Sequence, residues 1–201
     1  MDQSKANTSK SFSLDALVKV AVLSAISYVL MFIQLPIPIA PPFMKVDVAD
    51  VPALIGGFAM GPWYGVLIQL IKNLFNLTKT TTGGVGELSN FIVGSTFVLV
   101  SSMYYRHNKT KKDSIVALVL GVLAMTVVAT LSNTFVVFPT YAKVMGIDLE
   151  AFAGMVPGNN LVNSYTTLML LSVAPFNIVK GTVASVATHL IYKRISPILK
   201  F

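Results

Sequence analysis

The segment APFNIVKGT (174–182) sets Asn177 and Lys180 three residues apart inside the apolar run 168–192. A charge at the centre of a membrane helix costs roughly 2.5–3.5 kcal/mol on insertion scales, so this lysine needs compensation. Similar pairs interrupt other apolar stretches: Lys72 with Asn76 in IKNLFN, and Glu87 with Asn90 in GELSNF. Asn133 stands alone in LSNTF. Spacings of three and four put each pair on one helix face. An asparagine amide both donates and accepts, which suits a flat, polar-edged, largely neutral ligand better than an ion. Glu87 and Lys180 can pair with each other, so a site built from this set need carry no net charge. An ion pathway or proton relay calls for rings or chains of carboxylates, and only Glu87 is placed for that role.

Other chemistries find no support. The chain has no cysteine, so disulfides and thiolate metal sites are excluded, and the two histidines, His107 and His189, lie far apart. TGGVGELSN is glycine-rich but lacks the lysine and preceding strand of a nucleotide-binding P-loop. No paired-carboxylate, HExxH or GxSxG arrangement occurs, which argues against an enzyme.

The elements that position these residues follow from composition. The 201 residues are 54% hydrophobic and 11% charged, with a mean hydropathy of +0.73. A soluble domain carries about 25% charged residues, so the expected class is an all-α membrane protein. The net charge of +7 is read as lysines crowding cytoplasmic loops rather than as nucleic-acid binding. Residues 1–13 form a polar cytoplasmic N-terminal segment, and residues 14–201 a domain of six transmembrane helices.

The first span runs from Leu14 to Gln34 and stops at the proline-rich stretch 36–42. Asp50 is a candidate N-cap for the second span, 51–60, with Pro52 in its first turn. The third span covers about 62–78, the fourth 86–105 and the fifth 114–138, ending at Pro139. The sixth is placed at 175–194, because proline prefers the first turn of a helix. LVNSYTTLMLLS is then a separate segment on the outer surface. With both termini inside, that side holds Lys5, Lys10, Lys19, Arg106, Lys109, Lys111, Lys112, Lys193, Arg194 and Lys200. The outer side holds only Lys45, Lys79 and Lys143. The asymmetry predicts N-in and C-in.

In that topology Lys72, Asn76, Glu87, Asn90, Asn133, Asn177 and Lys180 all fall towards the outer ends of four helices. Agreement in depth favours an outward-facing pocket over a scatter of caps and snorkelling side chains. The loop after the first span, with Phe43, Met44, Lys45 and Val46, is placed to cover that pocket. It also reads as an ordinary extracellular connector. On the first span Ala21 and Ala25 are small residues four apart, which let another helix approach closely.

Taken together, KVDVADVPALI (45–55), GELSNFIVG (86–94), APFNIVKG (174–181) and, in support, IQLIKN (68–73) resemble the substrate-binding S component of energy-coupling factor (ECF) transporters. The resemblance spans about 13–197 and is to the riboflavin-uptake branch. It implies a six-helix vitamin-binding protein in the cell membrane, with no cofactor and riboflavin as the transported ligand. It further implies a transmembrane coupling protein and two ATPase subunits as partners, which accounts for the missing P-loop. Ala21 and Ala25 match the family's docking motif for the coupling protein. Asn177 and Lys180 match the last-helix residues that contact flavin. The long polar N-terminal extension departs from the pattern. The same architecture serving another vitamin, such as thiamine or biotin, and a membrane scaffold or ion-conducting protein with a structural polar cluster are the rival readings.

Overall fold

The computed structural model describes residues 14–80, 82–107, 109–158 and 160–199, and the N-terminal segment 1–13 lies outside the described residues. Helix α1 (Leu14–Leu30) leads into a two-stranded antiparallel hairpin, β1 (Leu35–Pro36) and β2 (Lys45–Val46). Helices α2 (Val51–Met60) and α3 (Pro62–Asn76) follow, then a single 3-10 turn, Leu77–Lys79, and α4 (Val85–Tyr105).

α2 and α3 fold back on each other at Gly61. Its φ of +123° is a conformation that side-chain-bearing residues rarely adopt, and Pro62 starts the next helix where no N–H is needed. The pair packs closely at Gly65, where an added Cβ would sit 2.8 Å from the Ala53 carbonyl oxygen. α2 is about 15 Å long, half the roughly 30 Å thickness of a bilayer's hydrocarbon.

The second half differs from the sequence expectation at both prolines. α5 (Lys111–Ser132) does not end at Pro139. It passes through a π-turn, Asn133–Val137, into α6 (Phe138–Met145). α7 (Tyr165–Leu168) likewise continues through a π-turn, Met169–Val173, into α8 (Ala174–Leu199), so Pro175 does not begin the last span, and LVNSYTTLMLLS (161–172) is not a separate segment but joins that helix from Tyr165 on. The hydrogen bonding around Pro139 shows how. In the first π-turn the Phe138 N–H reaches back to Asn133 O, and Pro139 has no N–H for Thr134 O. The Tyr165 hydroxyl donates to that carbonyl instead, at 2.7 Å. A wide turn with an outside donor thus accommodates a proline that a regular helix would reject.

α4 packs on α3 and α5, α8 packs on α5 and α2, and α1 packs on α2 and α3. Leu54, Ile68, Phe97, Met125 and Ala184 centre one core. Phe138, Phe152, Leu168 and Val173 form a second beneath the 3-10 segment Leu149–Met155. Outside these cores the surface stays apolar: Val18, Val22, Ile26 and Val29 on α1, and Val119, Leu123, Val127 and Leu131 on α5, are exposed. A water-soluble fold rarely presents such stripes, whereas lipid tails match them. Among the described residues, three helical segments (Val85–Tyr105, Lys111–Met145 and Tyr165–Ile195) are long and apolar enough to cross a bilayer.

Candidate functional site

A cavity of about 270 Å³ opens at one end of the bundle, near the small end of the roughly 300–1,000 Å³ typical of ligand pockets. The end of α3 supplies Asn76, and the first turns of α4 supply Glu87, Ser89, Asn90 and Val93. The π-turn of α5–α6 supplies Asn133 and Val137, α6 supplies Tyr141, and the start of α8 supplies Phe176, Asn177 and Lys180. Six of the seven residues singled out by their depth therefore face one space. Lys72 does not: it is fully buried beneath the cavity, paired with Asp50.

The loop after α1 closes one flank with Met31, Gln34, Phe43, Met44, Lys45 and Asp47. Val46 turns the other way and packs with Ala40 and Phe176. The loop is held at several points. The Phe43 ring meets Phe138 at 5.8 Å and Tyr141 at 5.6 Å. Ser172 Oγ donates to Ile39 O at 2.6 Å, and Ser27 Oγ donates to Ala49 O.

Charge in the site is balanced by residues the depth argument left out. Lys180 does not pair with Glu87. Its ammonium lies 3.5 Å from Asp47 and 3.9 Å from Asp50, and donates to Asn90 Oδ1 at 3.0 Å. Asp50 makes no capping bond to α2; its Oδ1 accepts from Lys72 at 2.5 Å and from Gln69 Nε2 at 2.9 Å. Burial pushes the Asp50 carboxyl up, but the ammoniums of Lys72 and Lys180 outweigh it and hold the group below the usual carboxylate range. Two carboxylates and two ammoniums thus form a neutral buried quartet joining the loop to α3 and α8. The sequence carried part of the signal: two lysines inside apolar helices require two acids, and DVAD (47–50) and DLE (148–150) are the two short segments that hold a pair.

Glu87 is consumed differently. Its oxygens accept from Asn76 Nδ2 at 2.9 Å, Thr80 Oγ1 at 2.9 Å and Thr82 Oγ1 at 3.1 Å. It therefore clasps the α3–α4 turn. The amides follow a common pattern. Asn133 and Asn177 each donate Nδ2 to the carbonyl four residues earlier, Ala129 O at 2.7 Å and Val173 O at 2.8 Å. Asn76 spends its Nδ2 on Glu87, and Asn90 spends its own on Asn73 Oδ1 at 3.1 Å. Three amide oxygens, those of Asn76, Asn133 and Asn177, keep their acceptor capacity. The cavity accordingly offers amide acceptors together with apolar or aromatic surface from Met31, Phe43, Met44, Val93 and Phe176. No group of three or more histidine and acidic residues that could hold a metal occurs among the described residues. Ala21 and Ala25, in the middle of α1, are exposed and are not among the residues that line the cavity.

Residues 15–192 match the family described as ECF transporter, substrate-specific component. The chain is similar to the riboflavin transporter RibU of Staphylococcus aureus (strain TCH60), with 33% identity over 92% of each chain. It is also similar to the riboflavin transporter FmnP of Bacillus subtilis (strain 168), with 30% identity over 90% of this chain and 92% of that one. A solved structure of the S component of a bacterial ECF transporter superposes with a TM-score of 0.74 at 33% identity, covering 92% of this chain and 98% of that one. The match extends over both halves of the bundle and the loop that closes the cavity, and it is to a transporter component rather than an enzyme. The chain therefore belongs to the substrate-specific components of ECF transporters.

Proposed function

We propose that this protein binds riboflavin at the cavity and delivers it across the cell membrane, energised by a separate transmembrane coupling protein and a pair of ATPase subunits. The observation that carries the reading is a cavity lined by both amide acceptors and apolar and aromatic side chains, in a chain similar to riboflavin transporters along nearly its whole length. An isoalloxazine ring has broad apolar faces and an imide edge, and its ribityl chain carries hydroxyl donors. The faces suit Met31, Phe43 and Phe176, and the donors suit the oxygens of Asn76, Asn133 and Asn177. Burial of the ring supplies much of the affinity, at about 25 cal/mol per Å² of apolar surface.

In this reading six membrane segments are α1, α2, α3, α4, α5–α6 and α7–α8, with both termini inside and the cavity facing out. The positive charges support it, since Lys109, Lys111, Lys193 and Arg194 all lie at the end away from the cavity. Ala21 and Ala25 form the contact for the coupling protein, as their exposure on α1 allows.

Protein purified in detergent is expected to carry flavin absorbance and to quench the fluorescence of added riboflavin. Colourless protein that leaves riboflavin fluorescence unchanged would overturn the assignment, and saturable binding of thiamine or biotin instead would reassign the cavity.

A further inference from the structure

At the end of the bundle away from the cavity, two depressions meet at His189. One, of about 150 Å³, is lined by Lys109, Lys111, Ser114, Tyr192 and Lys193 together with His189. The other, of about 450 Å³, is the seam between α5 and α8, walled by Leu118, Val119, Val122, Ile178 and Val186, again with His189. We propose that this composite site binds an anionic phospholipid, its phosphate among Lys109, Lys111 and Lys193 and one acyl chain in the α5–α8 seam.

Charge and shape agree on that occupant. Among the described residues, no carboxylate lines either depression. The nearby Asp113 is engaged at the start of α5, where its backbone N–H donates to Thr110 Oγ1 at 3.2 Å and its carboxylate accepts from the same hydroxyl. Lys111 from the start of α5 and Lys193 from the end of α8 line the same depression, an arrangement of like charges that an intervening phosphate relieves. A zwitterionic lipid brings its own cation and gains less. The seam extends from Ile178 to Leu190 along α8, about 18 Å at 1.5 Å per residue. That is close to the roughly 15 Å hydrocarbon depth of one leaflet. One turn deeper than His189, the buried Ser185 Oγ has no hydrogen-bond partner among the described residues. It lies where an acyl ester joins headgroup to tail. Basic pockets between helix ends are a known way for membrane proteins to select acidic lipid headgroups. The inference rests on the bundle lying in a membrane, and on neither the flavin assignment nor the transport partners.

The test is phospholipid retention. The full chain, exchanged in detergent against phosphatidylglycerol or phosphatidylcholine, is examined by native mass spectrometry, with circular dichroism and gel filtration as controls for folding. The wild type is expected to retain phosphatidylglycerol in preference to phosphatidylcholine. Lys111→Gln with Lys193→Gln should cut that retention roughly ten-fold. Val186→Trp, at an exposed seam position, should lower it comparably by filling the groove. Equal retention of the two lipids, or retention indifferent to both sets of substitutions, overturns the proposal. So does a Val186→Trp variant that keeps phosphatidylglycerol but loses its coupling protein, because the seam would then belong to a partner helix.

Discussion

The Lys180 ammonium of α8 stands 3.5 Å from the Asp47 carboxylate of the loop that closes the cavity. The two residues come from opposite halves of the chain, so their pairing pins the loop that closes the site to its α8 wall. Lys180 thus has two tasks, lining the cavity and anchoring the loop.

Lys180→Ala is expected to weaken riboflavin binding at least ten-fold, about 1.4 kcal/mol, without preventing membrane insertion. Asp47→Asn should mainly speed dissociation, because the loop loses an anchor while the wall keeps its shape. Fluorescence titration and stopped-flow quenching measure the two effects, and the double variant should show coupling of about 0.5–3 kcal/mol. Strict additivity would mean that Lys180 does not act through the loop.

The Asp50–Lys72 pair makes a sharper statement about stability. Removing one partner of a buried ion pair costs about 3–5 kcal/mol. Lys72→Met should therefore lower the thermal midpoint in detergent substantially. Lys72→Met combined with Asp50→Asn should recover part of the loss, since no buried charge then lacks its local partner. A double variant less stable than Lys72→Met alone would show that Asp50 answers chiefly to Lys180.

Tyr165→Phe removes the hydroxyl that serves the Thr134 carbonyl beside Pro139. An unsatisfied buried acceptor costs about 1–3 kcal/mol, so a matching drop in stability is expected. The π-turn also carries Asn133, and flavin affinity should fall with it. Wild-type stability and affinity would mean that water serves this carbonyl.

Ala21→Trp and Ala25→Trp should leave flavin quenching intact and abolish co-purification with the coupling protein, because both positions are exposed and are not among the residues that line the cavity. If both variants still assemble, the docking face is not on α1.

The placement of the π-turns shows where local reasoning stops. Pro139 and Pro175 are read from sequence as helix boundaries because a proline cannot serve the preceding turn. The hydroxyl that rescues the first comes from Tyr165, on another element, and nothing near Pro139 announces it. In the same way, Lys180 was legible as a lysine needing an anionic neighbour, while the choice of Asp47 and Asp50 over Glu87 was not. Glu87 is already claimed by Asn76, Thr80 and Thr82.

Composition and the length of the apolar runs were enough to indicate a helical membrane protein, because lipid-facing and buried surfaces must be apolar whatever their partners. That Asn76, Glu87, Asn90, Asn133, Asn177 and Lys180 gather at one end of the bundle was equally legible, since the rise per residue is constant along a helix. Which carboxylate meets which ammonium, and which carbonyl a tyrosine serves, depend on contacts between segments distant in the chain. Those are settled only when the helices pack, because a buried charge takes whichever partner the packing brings within reach.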